Sequence, residues 1–336
     1  AHLNPTRTAV LKLFASVFAH GAQSMTDVRG AKQVTSAVRD FVQERGTLPR
    51  LTVVERRAAS DGFVKYLFES PLGGRFEAVR IPLFEEKYVV CVSSQVGCAL
   101  ACDFCMTGKL GFQRNLAAWE IVDQVLRIRA EADRPVRGVV FMGMGEPLHN
   151  YENVARAARI LCHPAGLAIS GRAMTFSTAG WVPGIRRFLR EELPYRLAFS
   201  VTSAIPEKRL KVLPVEKTWR LGELVDCIRD YAVSRKERAM VAYVCISGFN
   251  MGEEDVAALE RTFAGVPMKL DLIDVTDPTG VYQPPSASEL KAFRDKLQRL
   301  NVPIARRYSG GKDIDAACGT LAGTQRGGQV LQAPAV

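Results

Sequence analysis

A regular alternation of amphipathic helices and apolar strands, from about residue 117 to residue 308, is the feature that most limits how this chain can fold. We predict helices near residues 117–130, 153–162, 183–191, 221–234, 253–265 and 288–300. Strands are expected near residues 138–147, 173–177, 195–202, 240–247, 268–275 and 304–309. Such alternation is typical of parallel strands joined by crossover helices. The pattern therefore predicts an α/β fold, and its six pairs predict a partial (β/α)6-type barrel.

The first ninety residues have a different pattern. Apolar residues at helical spacing predict a helix that ends at Gly21 and a second helix from Thr26 to Glu44. Two helices of this size cannot form a core of their own, so we expect them to pack on the rest of the chain. Short strands come next, and Asp61-Gly62 between two of them is typical of a hairpin. We divide the chain into an N-terminal helical accessory domain (1–48), a small β-rich linker (49–90), the barrel core (91–308) and a C-terminal segment (309–336).

Composition and charge narrow the class of protein. The sequence has no run of 18 apolar residues, which predicts that nothing spans a membrane. Lys12 interrupts the apolar start, which we interpret as an amphipathic helix and not as a secretion signal. The formal net charge of +10 attracts polyanions, above all nucleic acid. Many soluble proteins are equally basic for no specific reason, so charge alone leaves both interpretations open.

Half of the eight cysteines lie between residues 91 and 105. Cys98, Cys102 and Cys105 have the spacing C-x₃-C-x₂-C, which suits one loop wrapped around a metal centre. Three thiolates on a four-iron cluster would leave one iron open to a substrate or cofactor. A structural zinc site is the alternative, but it commonly needs a second Cys or His pair, and the remaining cysteines and histidines are isolated. We therefore predict a redox-active iron–sulfur site and a cytoplasmic location, where thiols stay reduced.

Glycine and polar residues follow several of the predicted strands. In parallel α/β folds, ligands bind at the carboxyl ends of the strands. The turn 143–147 follows one strand, Ser177 and Ser200 to Thr202 follow two others, and Asp277 lies beyond a fourth. A glycine-rich turn after a strand is usually only a tight turn, so each feature is weak by itself. Their shared placement predicts that they surround one ligand.

The cysteine loop resembles the signature of radical S-adenosylmethionine (SAM) enzymes. Three long motifs narrow this resemblance, and they are CVSSQVGCALACDFCMTGKLGFQRNL, FMGMGEPLHN and KDIDAACGTLAG. Together they look like the RlmN/Cfr family, whose members methylate adenine in RNA at carbon 2 or carbon 8. The resemblance runs over most of the chain. It implies a radical SAM barrel, a [4Fe-4S] cluster held by Cys98, Cys102 and Cys105, and SAM as cofactor.

The resemblance also implies roles for residues outside the cluster loop. Cys318 matches the family's methyl-carrying cysteine, and Cys91 matches the partner that forms a disulfide with it to release the product. Glu77 matches the family's proton acceptor. The expected SAM contacts are Gly145, Glu146, Pro147, Ser177, Ser200, Thr202 and Asp277. The resemblance further implies ribosomal or transfer RNA as substrate, an electron donor such as flavodoxin or ferredoxin, and a monomeric state.

Several positions depart from the family. Thr202 stands where the family has histidine, in Ser-Leu-His-Ala. The family's Asn-Leu-Ile-Pro-x-Asn-Pro is here DLIDVTDP, so Asp274 replaces a proline and we place Asp277 at the asparagine. An extra carboxylate would repel RNA unless it is paired. Three functions therefore stay open: an RNA adenine methyltransferase, the same mechanism on a small molecule or peptide, and a cluster-bearing sensor without turnover, against which the retention of Cys91 and Cys318 speaks.

Overall fold

The computed structural model describes residues 5–29, 34–84 and 86–323. The strands found there are β1 (Thr52–Ala58), β2 (Val64–Glu69), β3 (Arg75–Leu83), β4 (Lys87–Cys91), β5 (Gln95–Gly97), β6 (Phe112–Asn115), β7 (Val136–Phe141), β8 (Met174–Thr178), β9 (Arg196–Ser200), β10 (Ala239–Cys245), β11 (Met268–Asp274) and β12 (Ile304–Arg306). The α-helices are α1 (Arg7–Phe18), α2 (Met25–Arg29), α3 (Ser36–Arg45), α4 (Met106–Lys109), α5 (Ala118–Ala130), α6 (Tyr151–Cys162), α7 (Val182–Arg190), α8 (Pro206–Val212), α9 (Leu221–Arg235), α10 (Glu253–Thr262) and α11 (Ala287–Leu297).

One sheet of ten strands organises the described part of the chain, in the order β1-β2-β3-β4-β7-β8-β9-β10-β11-β12. Strands β1 to β4 pair antiparallel, and β4 then pairs parallel with β7. From β7 to β12 every pair is parallel and follows chain order. Helices α5, α6, α7, α9, α10 and α11 lie in the successive connections. The predicted α/β fold with a partial (β/α)6-type barrel is therefore confirmed.

The helix–strand alternation predicted each of these core elements because its apolar residues are the ones that become buried. On α6, for example, Val154, Ala157, Ala158 and Leu161 are fully buried, while the other face is polar. The parallel strands are apolar on both faces because helices cover one face and the barrel interior the other. The local elements that were not predicted include α4, α8 and the small antiparallel hairpin β5–β6.

The predicted helix from Thr26 to Glu44 is wrong as a single element. The structure has α2 and α3 instead, with residues 30–33 outside the described part. Thr35 has an extended backbone, which starts α3 as a separate helix. As expected, the first helix, α1, packs on the core: Arg129 of α5 donates hydrogen bonds to the carbonyls of Phe18 and Ala19 at its end, both at 3.1 Å.

The β-rich segment forms the predicted hairpin, with the Asp61-Gly62 turn between β1 and β2. Its strands are hydrogen-bonded into the same sheet as the core, through the β4–β7 pair. The boundaries of the four parts stay a prediction. Within the described residues, no helix is both long enough and apolar enough to cross a membrane.

The C-terminal segment leaves β12 and packs against the cluster loop. The amide of Met106 donates to the carbonyl of Gly319 at 2.8 Å, and the hydroxyl of Thr107 donates to the carbonyl of Leu321 at 2.7 Å. Ser60 in the β1–β2 turn donates its amide to Asp313 at 3.1 Å. The first residues of α4 and the β1–β2 turn therefore hold this segment in place; residues 324–336 lie outside the described part.

Candidate active site

A cavity of about 530 Å³ lies at the carboxyl ends of the parallel strands. Nine of the residues singled out from the sequence line it: Cys91, Cys98, Cys102, Cys105, Gly145, Glu146, Ser177, Ser200 and Cys318. Four others do not belong to its lining: Glu77, Pro147, Thr202 and Asp277. The structure thus brings together cysteines from the two ends of the core and the turns that follow β7, β8 and β9.

The cluster loop begins and ends in the β5–β6 hairpin. Gly97 closes β5 with φ +72°, and a side chain there would overlap the carbonyl oxygen of Gly111, 1.8 Å from an added Cβ. The amide of Cys98 donates to that same carbonyl at 3.0 Å. Within the loop, the amide of Cys105 donates to the carbonyl of Cys102, also at 3.0 Å. The hairpin therefore closes the loop and directs three thiols into one cavity.

Burial disfavours the thiolate form of two of these cysteines, Cys98 and Cys102, when no cation is nearby. It raises the pKa of Cys98 to about 12 and that of Cys102 well above the ordinary thiol value. Bound iron supplies the positive charge that stabilises thiolates in such surroundings. Among the described residues, no three His, Cys, Asp or Glu side chains converge as ligands of a single metal ion would. A [4Fe-4S] cluster makes a different demand, because each thiolate binds its own iron, so the donor set fits a cluster.

Gly145 and Glu146 form a backbone cradle after β7. Gly145 has φ +95°, and an added Cβ would lie 2.5 Å from the Cβ of Gln95, so only glycine fits. The carboxylate of Glu146 accepts the amides of Leu148 and Ala179, each at 3.0 Å. Burial nevertheless raises the pKa of Glu146 to about 7. A cationic ligand group would therefore find here a buried acid with few competing charges, as the amino group of SAM requires.

Asp277 faces the cluster loop and not the cavity. Its carboxylate accepts the amides of Thr279 and Tyr282, both at 3.0 Å, and lies 4.0 Å from the ammonium of Lys109. These hydrogen bonds, together with that of the Thr279 hydroxyl, outweigh burial and lower the pKa of Asp277. It holds the turn after β11 against α4.

Thr276 lies at the cavity, in the position that the sequence analysis assigned to Asp277. It lines the cavity, and its buried hydroxyl has no hydrogen-bond partner in the described structure. Counted from Leu272 without a gap, the family's second asparagine falls on Thr276. Asp274 also lines the cavity: one carboxylate oxygen pairs with Arg306 at 2.6 Å, and the other is buried without a partner. The extra carboxylate is therefore paired, and two polar atoms remain for a ligand such as SAM.

Thr202, the residue at the family's histidine, is buried behind the cavity. Its φ of +60° is strained for a β-branched residue, and its hydroxyl has no partner among the described residues. The carbonyl of Thr202 accepts a hydrogen bond from the side chain of Asn250 at 2.7 Å. Thr202 thus shapes the loop that carries Ser200, which does line the cavity.

Cys91 and Cys318 meet in the same cavity although more than two hundred residues separate them. Cys91 ends β4 and is buried, whereas Cys318 is exposed. Burial raises the pKa of Cys91 to about 12; the Cys318 thiol adds to this, and the guanidinium of Arg307 opposes it. Both cysteines are free thiols here. The sequence interpretation overlooked Arg307, which also lines the cavity and follows a strand as the other ligand residues do.

Glu77 lies just outside the cavity and holds the Cys318 segment. One carboxylate oxygen pairs with Lys65 at 3.0 Å, and the other accepts the amides of Ala322 and Gly323 at 2.7 and 3.1 Å. Lys65 was not singled out from the sequence. The signal that could have found it is a lone charge in the apolar strand VKYLF, next to a strand in which Glu77 stands between apolar residues in FEAV.

A partial barrel whose strand ends enclose three cluster thiols and a SAM-sized cavity is the architecture of a radical SAM enzyme. The comparisons agree with the geometry. Residues 92–259 match the model of the radical SAM superfamily. A probable RNA methyltransferase from Myxococcus xanthus is 68% identical over the whole of this chain and 94% of its own length. The dual-specificity RNA methyltransferase RlmN of Syntrophobacter fumaroxidans is 38% identical over 92% of this chain and 90% of its own length.

The solved structures include a radical SAM methyltransferase from Sphaerobacter thermophilus, with 33% identity and a TM-score of 0.87. The match covers 95% of this chain and 94% of that one. The chain therefore belongs to the RlmN/Cfr family of radical SAM methyltransferases. It is an enzyme whose cofactors are a [4Fe-4S] cluster and SAM. The thiols of Cys98, Cys102 and Cys105 would suit the first, and the turn at Gly145 and Glu146 would suit the second.

Proposed function

We propose that this enzyme methylates carbon 2 or carbon 8 of an adenine in ribosomal or transfer RNA, by way of a methyl group carried on Cys318. The observation that carries the proposal is that Cys91 and Cys318 line the cavity that also holds the three cluster cysteines. Relatives over most of the chain are named RNA methyltransferases. The net charge of +10 favours a polyanionic substrate.

Cys91 and Cys318 would allow a methylation that SAM cannot perform directly. An adenine amidine carbon is electrophilic, so a methyl cation cannot be placed on it directly. When bound, the cluster and SAM supply a 5′-deoxyadenosyl radical, and SAM also supplies the methyl group. The sulfur of Cys318 exchanges its proton for that methyl group. The methyl group then gives a hydrogen atom to the 5′-deoxyadenosyl radical, which would become 5′-deoxyadenosine, and a methylene radical is left on Cys318. This carbon bonds to the adenine carbon and joins protein and RNA covalently.

Release of the product uses Glu77 and Cys91. The covalent adduct gives its ring proton to Glu77 and loses one electron, which the bound cluster would take back after its earlier donation to SAM. The Cys91 thiolate then attacks the Cys318 sulfur: a sulfur–sulfur bond forms, the sulfur–carbon bond breaks, and the freed carbon takes up a proton to become the methyl group. Because burial raises the pKa of Cys91, Arg307 is the cation that helps this thiol lose its proton. The same proposal includes an electron donor such as flavodoxin or ferredoxin and a reductant for the disulfide. It also includes a cytoplasmic location and a monomeric state.

Anaerobic reconstitution with iron, sulfide and methyl-labelled SAM tests the carrier. Mass analysis should find one labelled methyl group on Cys318 in the wild type and in Cys227→Ala, a matched control at a buried core cysteine. Wild-type enzyme with an intact cluster and an unmodified Cys318 would refute the carrier role.

The substrate is tested with Cys91→Ala and a panel of ribosomal RNA, transfer RNA, small adenine compounds and peptides. Because the variant cannot break the sulfur–carbon bond, it should accumulate a protein–RNA adduct that survives denaturing gels. Methylated Cys318 without an adduct on any RNA would exclude RNA, and an adduct on a small molecule or peptide would establish the alternative substrate class.

A further inference from the structure

Lys65 is a buried lysine with no part in the chemistry described above. It lies on β2 directly opposite Val79 of β3, and Val79 in turn lies opposite Cys91 of β4. The three side chains therefore share one face of the sheet, the face on which Cys91 meets the cavity. Lys65 is 6% exposed. An ammonium group this buried is costly unless its partners repay the lost hydration.

The partners of Lys65 lie on both sides of Cys318. The ammonium donates to the carbonyl of Asp315 at 3.1 Å and pairs with Glu77 at 3.0 Å. Glu77 in turn accepts the amides of Ala322 and Gly323. The Lys65–Glu77 pair thus contacts the chain three residues before Cys318 and four and five residues after it. Cys318 itself stays exposed between these two points of attachment.

We propose that Lys65 is a positioning residue, which through Asp315 and Glu77 fixes where Cys318 lies at the cavity. This inference rests on the proposed function, in which Cys318 carries the methyl group and Glu77 accepts the ring proton. Lys65 contributes to the placement of both Cys318 and Glu77. It anchors one side of the carrier segment directly, through the carbonyl of Asp315, and it holds the Glu77 carboxylate where that carboxylate anchors the other side. Stability alone is a weak reason to retain such a pair, because buried ion pairs rarely outperform apolar residues.

Hydrogen exchange of the Ala322 and Gly323 amides tests the attachment without any turnover. In reconstituted enzyme without RNA, Lys65→Met should raise their exchange rates roughly tenfold or more, because Glu77 loses the cation that holds it. Lys65→Arg keeps the charge and should restore most of the protection. Lys291→Met, at an exposed lysine paired with Asp295, is the matched control and should exchange as the wild type does.

Two further measurements separate positioning from general stability. Lys65→Met should methylate Cys318 at least about tenfold more slowly at saturating SAM, with cluster content unchanged. The double variant Lys65→Met/Glu77→Met removes both charges, so it should fold even where the single variant does not, and it should still exchange fast at Ala322 and Gly323.

Exchange within twofold of wild type in Lys65→Met, or equal exchange in the Met and Arg variants, would overturn the proposal. If wild-type Cys318 is never methylated, the proposed function fails while the exchange result still decides the role of Lys65.

Discussion

Replacing Arg209 with methionine should destabilise the protein more than any surface change. Arg209 of α8 is fully buried, and its guanidinium pairs with Glu216 at 2.9 Å. It also donates to the carbonyls of Ala179, Ser200 and Val201, at 2.9, 3.2 and 2.6 Å. It therefore ties the turns after β8 and β9 to each other. Burial lowers the pKa of Arg209 even beside Glu216, which shows how strongly the guanidinium depends on these partners.

The size of the effect follows from the partner left behind. Removing one member of a buried ion pair costs about 3–5 kcal/mol, because the remaining charge is desolvated without compensation. For a chain of this size we expect the unfolding midpoint of Arg209→Met to fall by roughly 4–7 °C. Removing the carboxylate as well, in Arg209→Met/Glu216→Met, should restore at least about half of that loss. SAM should bind more weakly to the single variant, because Ala179 and Ser200 line the cavity.

Thermal unfolding of the cluster-free protein, followed by circular dichroism under reducing conditions, measures this effect. Arg229→Met is the matched control, since Arg229 pairs with Asp226 on the exposed surface and such pairs contribute little. A fall of less than about 2 °C in Arg209→Met would refute the reasoning. So would a double variant that is no more stable than the single one, because the unpaired Glu216 would then not be the cause.

Four further predictions concern the cavity. Because burial raises the pKa of Glu146 to about 7, SAM should bind more tightly as pH rises through that value, and Glu146→Gln should abolish this dependence in calorimetric titrations between pH 6 and 8. The same raised pKa means that Glu146 contributes to the stability of the cofactor-free fold below pH 4.5, and that this contribution is lost as pH rises through about 7. In Glu146→Gln the unfolding midpoint should therefore depend less steeply on pH over this range. Gly145→Ala should retain the cluster, seen by its absorbance, but bind SAM at least about tenfold more weakly, because its Cβ would overlap Gln95; equal affinity would contradict this. Arg307→Met should accumulate adduct on denaturing gels, because the guanidinium lowers the pKa of Cys91; prompt product release would rule that role out.

The sequence predicted the features that depend on neighbours along the chain. The parallel core follows from the helix–strand alternation, and the cluster loop follows from the spacing of Cys98, Cys102 and Cys105. Gly145 could be predicted to lie at the cavity because a strand-end turn is a local feature. These features are contained in short windows of sequence, so spacing and periodicity suffice to find them.

Contacts that depend on strand register or on distant loops could not be predicted from local sequence patterns. Lys65 and Glu77 meet only because β2 and β3 pair with Lys65 opposite Val79, and a shift of one residue would turn them to opposite faces. Arg209 has partners in three separate loops, which no local pattern reveals. The turn after β11 decides that Thr276 and not Asp277 lines the cavity, because Asp277 bonds within that turn.

The hydrogen bonds between the cluster loop and the C-terminal segment make the positions of Cys105 and Cys318 depend on each other. Met106 and Thr107 directly follow Cys105, and they hold Gly319 and Leu321 on either side of Thr320. Under the proposed function, a substitution that displaces the cluster loop should displace the methyl carrier as well. We therefore expect such a substitution to impair loading of Cys318 and radical formation together.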